Sequence, residues 1–412
     1  MITWKMMREL RWKQNRSALW KHFRSIETQW RIKMSKQKKK SNQKNKRILL
    51  IASCLAVFVI GLILAILVLG GKDTEKKTRK KKTEVISTNN VVVDTTPTTT
   101  SVLTGLPVSD EEKNIRPMAI MIENTKACLP QYGIGQASIV YECPTEGGIA
   151  RLMGIYENYN NLDRLGNVRS CRPYYVHLAA EYHAVYVHFG QSTQGQEELD
   201  KGYVDELNGL SSVGGKVFYR TEDRKKPHNA YTSTSGLIAG LDAQGFEKTY
   251  KADDYKHFTF ASQDALNTLS DGSPCAAVQL YFFDNKPYFT YDASTGLYSR
   301  FEYGQPQVDA ITNTQLTYSN IILENVADSY YDDEHYRLNL QMEGSGTGKY
   351  LTQGKVIDIT WKKDNATAIT HYYDASGKEI TLNPGKTWIS VIQNSCADKN
   401  VFYGTIDEFN AR

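Results

Sequence analysis

Two glutamates lie four residues apart in the segment Glu142-Cys-Pro-Thr-Glu146, directly before a pair of glycines. Two carboxyl groups that flank a glycosidic bond are the usual machinery of sugar hydrolysis, with one group held protonated as the acid. The pattern makes Glu142 and Glu146 candidate catalytic residues. It is equally typical of buried salt bridges, in which Arg151, Arg169 or Arg172 would pair with the two carboxylates.

The segment Arg-Ser-Cys-Arg-Pro-Tyr contains Arg169 and Arg172. Both arginines directly precede a predicted helix that starts at Pro173. Guanidinium groups and the free N–H groups of a helix start can together bind a carboxylate or a phosphate. We therefore expect these two arginines and Arg151 to contact an anionic ligand. The alternative is an arginine–glutamate network that fixes the core.

Histidine and asparagine side chains extend the candidate site. His188 lies near the end of the predicted strand Val185–Phe189, and His228 and Asn229 belong to the segment Pro-His-Asn. A histidine within reach of a substrate can act as a general base, so His228 is predicted to assist the two glutamates. His188 and Asn229 are predicted to contact the ligand. A single histidine is more often structural, and that alternative stays open for both rings.

The cysteines give no pattern of a metal site. Five follow residue 100, namely Cys128, Cys143, Cys171, Cys275 and Cys396. An odd number leaves at least one thiol unpaired, and we expect small buried apolar side chains. No cysteine and histidine spacing is typical of zinc, so the sequence predicts no metal and no cofactor. The glycine-rich segment 344–350 is predicted to be a turn between strands, because Tyr350 stands where a phosphate loop needs Ser or Thr.

Short β-branched and aromatic runs between turn residues predict the elements that position these groups. Strands are predicted at Met118–Ile122, Ser138–Tyr141, Leu152–Tyr156 and Val185–Phe189. Helices are predicted at Pro173–His183, Leu237–Ala243 and Ser262–Leu269. From Cys275 onward almost every predicted element is a strand. The body is therefore expected to be α+β, with a first domain over residues 102–245 and a β-rich second domain over residues 275–395.

Residues 48–70 are predicted to cross a membrane as one helix. The 22 residues from Ile48 to Leu69 carry no charge, and a helix needs about 20 to span a bilayer. Residues 1–47 hold 16 Lys and Arg against 2 acids, which predicts a cytoplasmic tail and an extracytoplasmic body. The basic charge therefore belongs to the membrane flanks and excludes a nucleic-acid surface. Residues 71–101, rich in Lys and then in Thr, are predicted to form a stalk.

Seven segments occur in order along the body: Leu103–Pro107, Arg116–Asn124, Gln136–Gly148, Gly166–Tyr174, Val187–Gly190, Pro227–Thr232 and Leu382–Ile389. Together they resemble the YerB-like lipoprotein family of Gram-positive bacteria over residues 102–395. The resemblance implies a cell-envelope protein with a three-layer sandwich-like N-terminal domain, and it implies no activity. The lipobox-like segment Ile51-Ala-Ser-Cys54 precedes most of its apolar stretch, so an uncleaved helix is expected and lipidation of Cys54 is the alternative.

The predicted function is binding of an anionic cell-wall glycan or of an envelope protein by a membrane-anchored body. Anions of the expected kind are the carboxylates of peptidoglycan stems and the phosphates of teichoic acids. The alternative is a peptidoglycan or glycan hydrolase that uses Glu142 and Glu146. A third possibility makes the β-rich domain a protein-docking module. The hydrolase requires both carboxylates to face one open cleft.

Overall fold

In the described residues of this computed structural model, ten strands and five helices lie between residues 99 and 244. The strands are β1 Thr99–Thr100, β2 Pro107–Val108, β3 Met118–Ile122, β4 Ile139–Pro144, β5 Ala150–Tyr156, β6 Leu165–Gly166, β7 Val185–His188, β8 Glu206–Asn208, β9 Tyr219–Arg220 and β10 Ala230–Thr232. The helices are α1 Asp110–Lys113, α2 Pro173–Ala180, α3 Thr193–Leu199, α4 Gly214–Val217 and α5 Thr234–Gln244. Short 3-10 turns lie at Lys126–Cys128, Ile134–Gln136 and Glu146–Gly148.

The second half consists almost entirely of strands. They are β11 Thr259–Phe260, β12 Ser273–Pro274, β13 Ala277–Gln279, β14 Tyr288–Asp292, β15 Leu297–Glu302, β16 Gln305–Pro306, β17 Thr317–Tyr318, β18 Asn320–Val326, β19 Asp328–Tyr330, β20 Leu338–Leu340, β21 Gly344–Thr352, β22 Lys355–Lys363, β23 His371–Tyr373, β24 Thr381–Leu382, β25 Thr387–Gln393 and β26 Val401–Tyr403. Helix α6 spans Ile406–Asn410, and 3-10 turns lie at Ala252–Tyr255 and Asn394–Lys399.

The structure describes residue 97, residues 99–331 and residues 334–412. The predicted tail (1–47), membrane helix (48–70) and most of the stalk (71–101) lie outside the described residues. Within the described ranges, no helix has both the length and the apolar character needed to cross a membrane.

A central sheet of eleven strands draws on both halves of the chain. Its order is β12-β22-β21-β18-β25-β4-β5-β3-β7-β8, with β23 beside β22. Strand β25 pairs in parallel with β4, which makes the sheet continuous between the halves. Strands β3, β7 and β8 are mutually parallel, and the antiparallel strand β5 gives β4 the same direction as β3. The carboxyl ends of β3, β4, β7 and β8 therefore meet at one edge of the sheet, here called the carboxyl edge.

Both faces of the central sheet are covered, which explains the unbroken apolar sequence of β3. Ala119 and Met121 pack into one core, and Met118, Ile120 and Ile122 pack into the other. Successive side chains of a strand point to opposite faces, so a strand buried on both sides is apolar throughout.

The two covering layers differ in composition. On the first face the core includes Tyr175 and Val176 of α2. On the second face it includes Leu237 of α5 and Phe289 of a six-stranded sheet formed by β13–β17 and β26. The architecture is therefore mixed α/β and rich in sheet, and strands of the second half contribute to the central sheet and to both covering layers.

Two predicted elements are wrong. Residues 262–269 are not helical, because Asn267 donates its backbone N–H to Asn383 Oδ1 (2.7 Å) and its side-chain amide to the Thr381 carbonyl (2.7 Å). The segment 344–350 is not a turn but the start of β21. Its glycines permit close packing, since a Cβ at residue 348 would collide with the backbone oxygen of the neighbouring strand.

Candidate functional site

The carboxyl edge gathers charged side chains from segments far apart in sequence. Glu123 directly follows β3, and Glu146 lies in the 3-10 turn after β4. The backbone of residues 169–172 crosses this edge, because Arg169 N–H donates to the Met121 carbonyl (3.2 Å) and Cys171 N–H donates to the Gly190 carbonyl (2.9 Å). In open α/β sheets, ligands bind in the crevice beyond the carboxyl ends of the strands. We call Glu123, Cys128, Glu146, Arg151, Arg169, Arg172 and His228 the carboxyl-edge cluster.

Glu146 forms a two-pronged ion pair with Arg172. Arg172 Nε donates to Glu146 Oε2 at 2.9 Å, and Arg172 Nη2 contacts Oε1. Burial raises the pKa of Glu146, but the hydrogen bonds and charge of Arg172, aided by Arg151, outweigh burial and lower that pKa to about 2. The Glu146 side chain is 25% exposed. It is therefore an accessible carboxylate that is ionised near neutral pH and cannot donate a proton to a leaving group there.

Glu142 lies in the core and not in the carboxyl-edge cluster. Its side chain is fully buried, and Arg300 Nη2 donates to Oε1 at 2.6 Å. Trp388 Nε1 and Ser390 Oγ donate to Oε2 at 3.1 and 3.0 Å. The two predicted catalytic carboxylates therefore do not share an open cleft. The predicted acid/base pair of Glu142 and Glu146 finds no support in this geometry.

Arg151 completes a group of three arginines at the carboxyl edge. It is buried, and its Nη1 donates to the Ser170 carbonyl at 2.8 Å. Burial lowers the pKa of Arg151, and the charges of Arg172 and Arg169 lower it further, whereas Glu146 raises it. The mutual influence of these groups places the three guanidiniums close enough to create one positive region. The pairing of Arg172 with Glu146 is the alternative that the sequence left open, in which an arginine binds one of the two glutamates.

Glu123, Cys128 and His228 converge beside Arg169. His228 Nδ1 lies 3.1 Å from Glu123 Oε2 and 3.3 Å from Cys128 Sγ. Arg169 Nε lies 2.8 Å from the same Glu123 oxygen. Burial raises the pKa of the Cys128 thiol to about 12, and the charge of Glu123 adds to this effect. The charge of Arg224 lowers this pKa only in part, so Cys128 is a protonated thiol near neutral pH and a poor nucleophile.

A basic loop residue holds this part of the cluster together. Arg224 Nη1 donates to the Cys128 carbonyl (2.6 Å) and to Asn167 Oδ1 (2.7 Å), and Nη2 donates to the Pro130 carbonyl (2.7 Å). Asn167 Nδ2 donates to Tyr231 Oη at 2.6 Å and to the His228 carbonyl. Arg224 and Asn167 thus position Cys128 and His228. Sequence reasoning missed both of them, as it missed Glu123.

Two residues that were predicted to contact the ligand instead form hydrogen bonds within the protein. His188 is fully buried, with Nδ1 2.9 Å from the Gly190 carbonyl and Nε2 2.6 Å from Glu206 Oε2. Asn229 Oδ1 accepts from Arg220 Nη1 (2.8 Å), and its Nδ2 donates to the Thr221 carbonyl (2.7 Å). Both ring nitrogens and both amide atoms are therefore occupied within the protein. These two residues support the loops of the site.

Comparisons with known proteins agree with this architecture. Two family models match, described as "Protein of unknown function (DUF3048) N-terminal domain" over residues 103–247 and as the corresponding C-terminal domain over residues 278–389. The "Putative lipoprotein YerB" of Bacillus subtilis (strain 168) is 28% identical over 290 residues, which cover 70% of this chain and 85% of that protein.

The crystal structure of the YerB protein from Bacillus subtilis is similar to this fold. It superposes with a TM-score of 0.65 at 26% sequence identity, covering 74% of this chain and 99% of the crystallised chain. The resemblance inferred from the seven sequence segments is confirmed. The chain belongs to the YerB-like two-domain family of proteins of unknown function.

Proposed function

We propose that this protein is a membrane-anchored, extracytoplasmic component of the cell envelope that binds an anionic cell-wall polymer at the carboxyl-edge cluster. The name of the Bacillus relative, "Putative lipoprotein YerB", supports an envelope location. Either a lipid on Cys54 or a helix over residues 48–70 would provide the anchor. The described body would then face the cell wall.

The observation that carries the proposal is the excess of positive charge at the carboxyl edge. Arg151, Arg169 and Arg172 lie together, and only two carboxylates, those of Glu123 and Glu146, belong to the same cluster. The Arg169 side chain is 20% exposed. Its Nε lies 2.8 Å from Glu123 Oε2 and its Nη1 donates to the Pro227 carbonyl at 3.5 Å, so an incoming anion would bind at Nη2.

The chemistry at this edge favours binding over hydrolysis. Guanidinium groups recognise carboxylates and phosphates with paired hydrogen bonds, and both anions occur along cell-wall polymers. A hydrolase of the predicted kind would need a protonated acid beside an ionised partner. Glu142 is buried in the core and Glu146 is ionised, so these two residues do not form the acid and base pair that hydrolysis needs.

Co-sedimentation with purified cell-wall sacculi tests the proposal. The full-length chain in detergent would be mixed with sacculi that retain their teichoic acids and with sacculi stripped of them. We expect Arg169→Gln to weaken binding about tenfold, equivalent to about 1.4 kcal/mol. Binding lost on stripping would identify phosphate as the ligand group, and binding retained would identify peptidoglycan carboxylates.

Lys251→Gln is the matched control, since it removes the same charge at an exposed position. Residue 251 follows the bridge between Ile115 and Thr249, near the amino end of β3 and thus at the opposite edge of the sheet. This variant should bind sacculi like the wild type. Equal loss in both variants, or no binding by the wild type, would contradict the proposal.

A further inference from the structure

Glu123, Cys128 and His228 bring three different metal-binding atoms to one point. The carboxylate oxygen, the thiol sulfur and the ring nitrogen all lie within 4.8 Å of one another. They come from distant parts of the chain, since Cys128 and His228 are 100 residues apart and Glu123 and His228 are 105 apart. We propose that these three side chains bind a single zinc ion.

The spacing of the donor atoms matches zinc coordination. Ligand atoms about 2.0–2.3 Å from a tetrahedral zinc ion lie roughly 3.2–3.6 Å from each other. The two nitrogen separations, 3.1 Å to Glu123 Oε2 and 3.3 Å to Cys128 Sγ, are close to this range. An ion could therefore enter with small movements of the side chains.

The type of donor selects the ion. Calcium and magnesium prefer oxygen ligands, whereas a thiolate with an imidazole and a carboxylate suits zinc. Zinc would displace the Cys128 proton and hold the sulfur as a thiolate. Three protein ligands leave one tetrahedral position open, as in zinc sites that bind an exogenous group and unlike closed structural sites.

Neighbouring groups already orient the ligands. Thr125 Oγ1 donates to Glu123 Oε1 at 3.1 Å, which directs Oε2 towards His228, and it lies 3.5 Å from Cys128 Sγ. Arg224 fixes the Cys128 carbonyl at 2.6 Å. Outer contacts of this kind are typical of metal sites, where they set the orientation of the ligands.

Arg169 is compatible with an ion at this position. Its guanidinium shares the Glu123 oxygen that would coordinate zinc. Two anionic ligands, Glu123 and the Cys128 thiolate, would balance the charge of the ion, and the partly exposed Arg169 could pair with an anion from solvent. The sequence predicted no metal because Glu123 and Cys128 are five residues apart and His228 is distant, a spacing that matches no short zinc motif.

Metal titration tests this inference without any polymer, so its outcome is separate from that of the proposed function. The full-length chain in detergent would be reduced, stripped with a chelator, and titrated with Zn²⁺ in competition with a chromophoric chelator. We expect one ion per chain. Co²⁺ should bind at the same site and produce a thiolate-to-cobalt charge-transfer band.

Three variants decide the assignment. Cys128→Ser should abolish the charge-transfer band, and Cys275→Ser, which alters another buried cysteine, should leave it unchanged. His228→Gln should weaken binding at least about tenfold. His228 is 31% exposed, so this variant is expected to fold. Absence of stoichiometric binding, a charge-transfer band that survives in Cys128→Ser, or an unchanged affinity in His228→Gln would overturn the inference.

Discussion

Arg300 Nη2 lies 2.6 Å from Glu142 Oε1, and this fully buried ion pair joins the central sheet to the six-stranded sheet. The same nitrogen lies 2.8 Å from Glu302 Oε2, and Arg300 Nε donates to Gln307 Oε1 at 3.2 Å. Glu142 belongs to the N-terminal family domain and Arg300 to the C-terminal one. The glutamate that the sequence suggested as catalytic therefore connects the two parts of the fold.

Loss of Arg300 should destabilise the protein strongly. Arg300→Met would leave the buried Glu142 side chain without its charged partner, and breaking a buried pair in this way costs about 3–5 kcal/mol. Urea denaturation followed by circular dichroism measures the loss. The double variant Arg300→Met/Glu142→Gln should recover part of it, because no buried charge would remain on Glu142. A single-variant loss below about 1 kcal/mol would contradict the assigned role of the pair.

Glu302 should make stability fall as the pH rises. Burial raises the pKa of Glu302 to about 8, with Arg300 opposing this rise and Glu142 adding to it. Because the folded-state pKa exceeds the ordinary value of 4.5, folding favours the protonated form, and stability is lost between about pH 4.5 and pH 8. Glu302→Gln should flatten this part of the profile, whereas the exposed Glu111→Gln should not. An unchanged slope in Glu302→Gln would refute the explanation.

The Glu146–Arg172 pair should have the opposite pH dependence. The folded-state pKa of Glu146, about 2, lies below the ordinary value of 4.5. The stabilisation by the pair is therefore present above pH 4.5 and is lost as the pH falls towards 2. Arg172→Gln should cost about 1–3 kcal/mol at pH 7, the range for hydrogen bonds to charged groups. The difference from wild type should shrink at pH 3. An equal difference at both pH values would show that packing of Arg172, not the ion pair, is responsible.

Buried thiols should resist alkylation in the native chain. Burial raises the pKa of Cys171 and of Cys275 to about 12, and raises that of Cys143 as well. Only the thiolate reacts readily, so we expect no measurable labelling of these three residues by iodoacetamide at pH 8 and complete labelling in guanidinium chloride. Peptide mass spectrometry reads out each site. Rapid labelling of the folded chain would show that the thiols are accessible.

Local patterns in the sequence predicted the elements around the site well. Strand β3 has the predicted limits, and α2 begins at Pro173 as expected, because proline is favoured in the first turn of a helix. The helix ends at Ala180, three residues before the predicted end. The second half is rich in strands, as predicted from Cys275 onward.

The candidate site was only partly predictable because its contacts are distant in sequence. The arginines of residues 169–172 and Glu146 could be proposed from composition and from the helix start. The burial of Glu142 depends on Arg300, 158 residues away, and on which face of β4 the second sheet covers. Glu123 was missed because nothing local distinguishes a glutamate after a strand, and its partner His228 lies 105 residues away.

Titration calorimetry with a soluble anionic wall polymer tests the central claim most directly. The full-length wild type, Arg169→Gln and Lys251→Gln would each be titrated at low and at physiological salt. We expect wild type and Lys251→Gln to bind equally, and Arg169→Gln to bind about tenfold more weakly, with all affinities falling as salt rises. Equal affinity of wild type and Arg169→Gln would contradict an anion-binding site at the carboxyl edge.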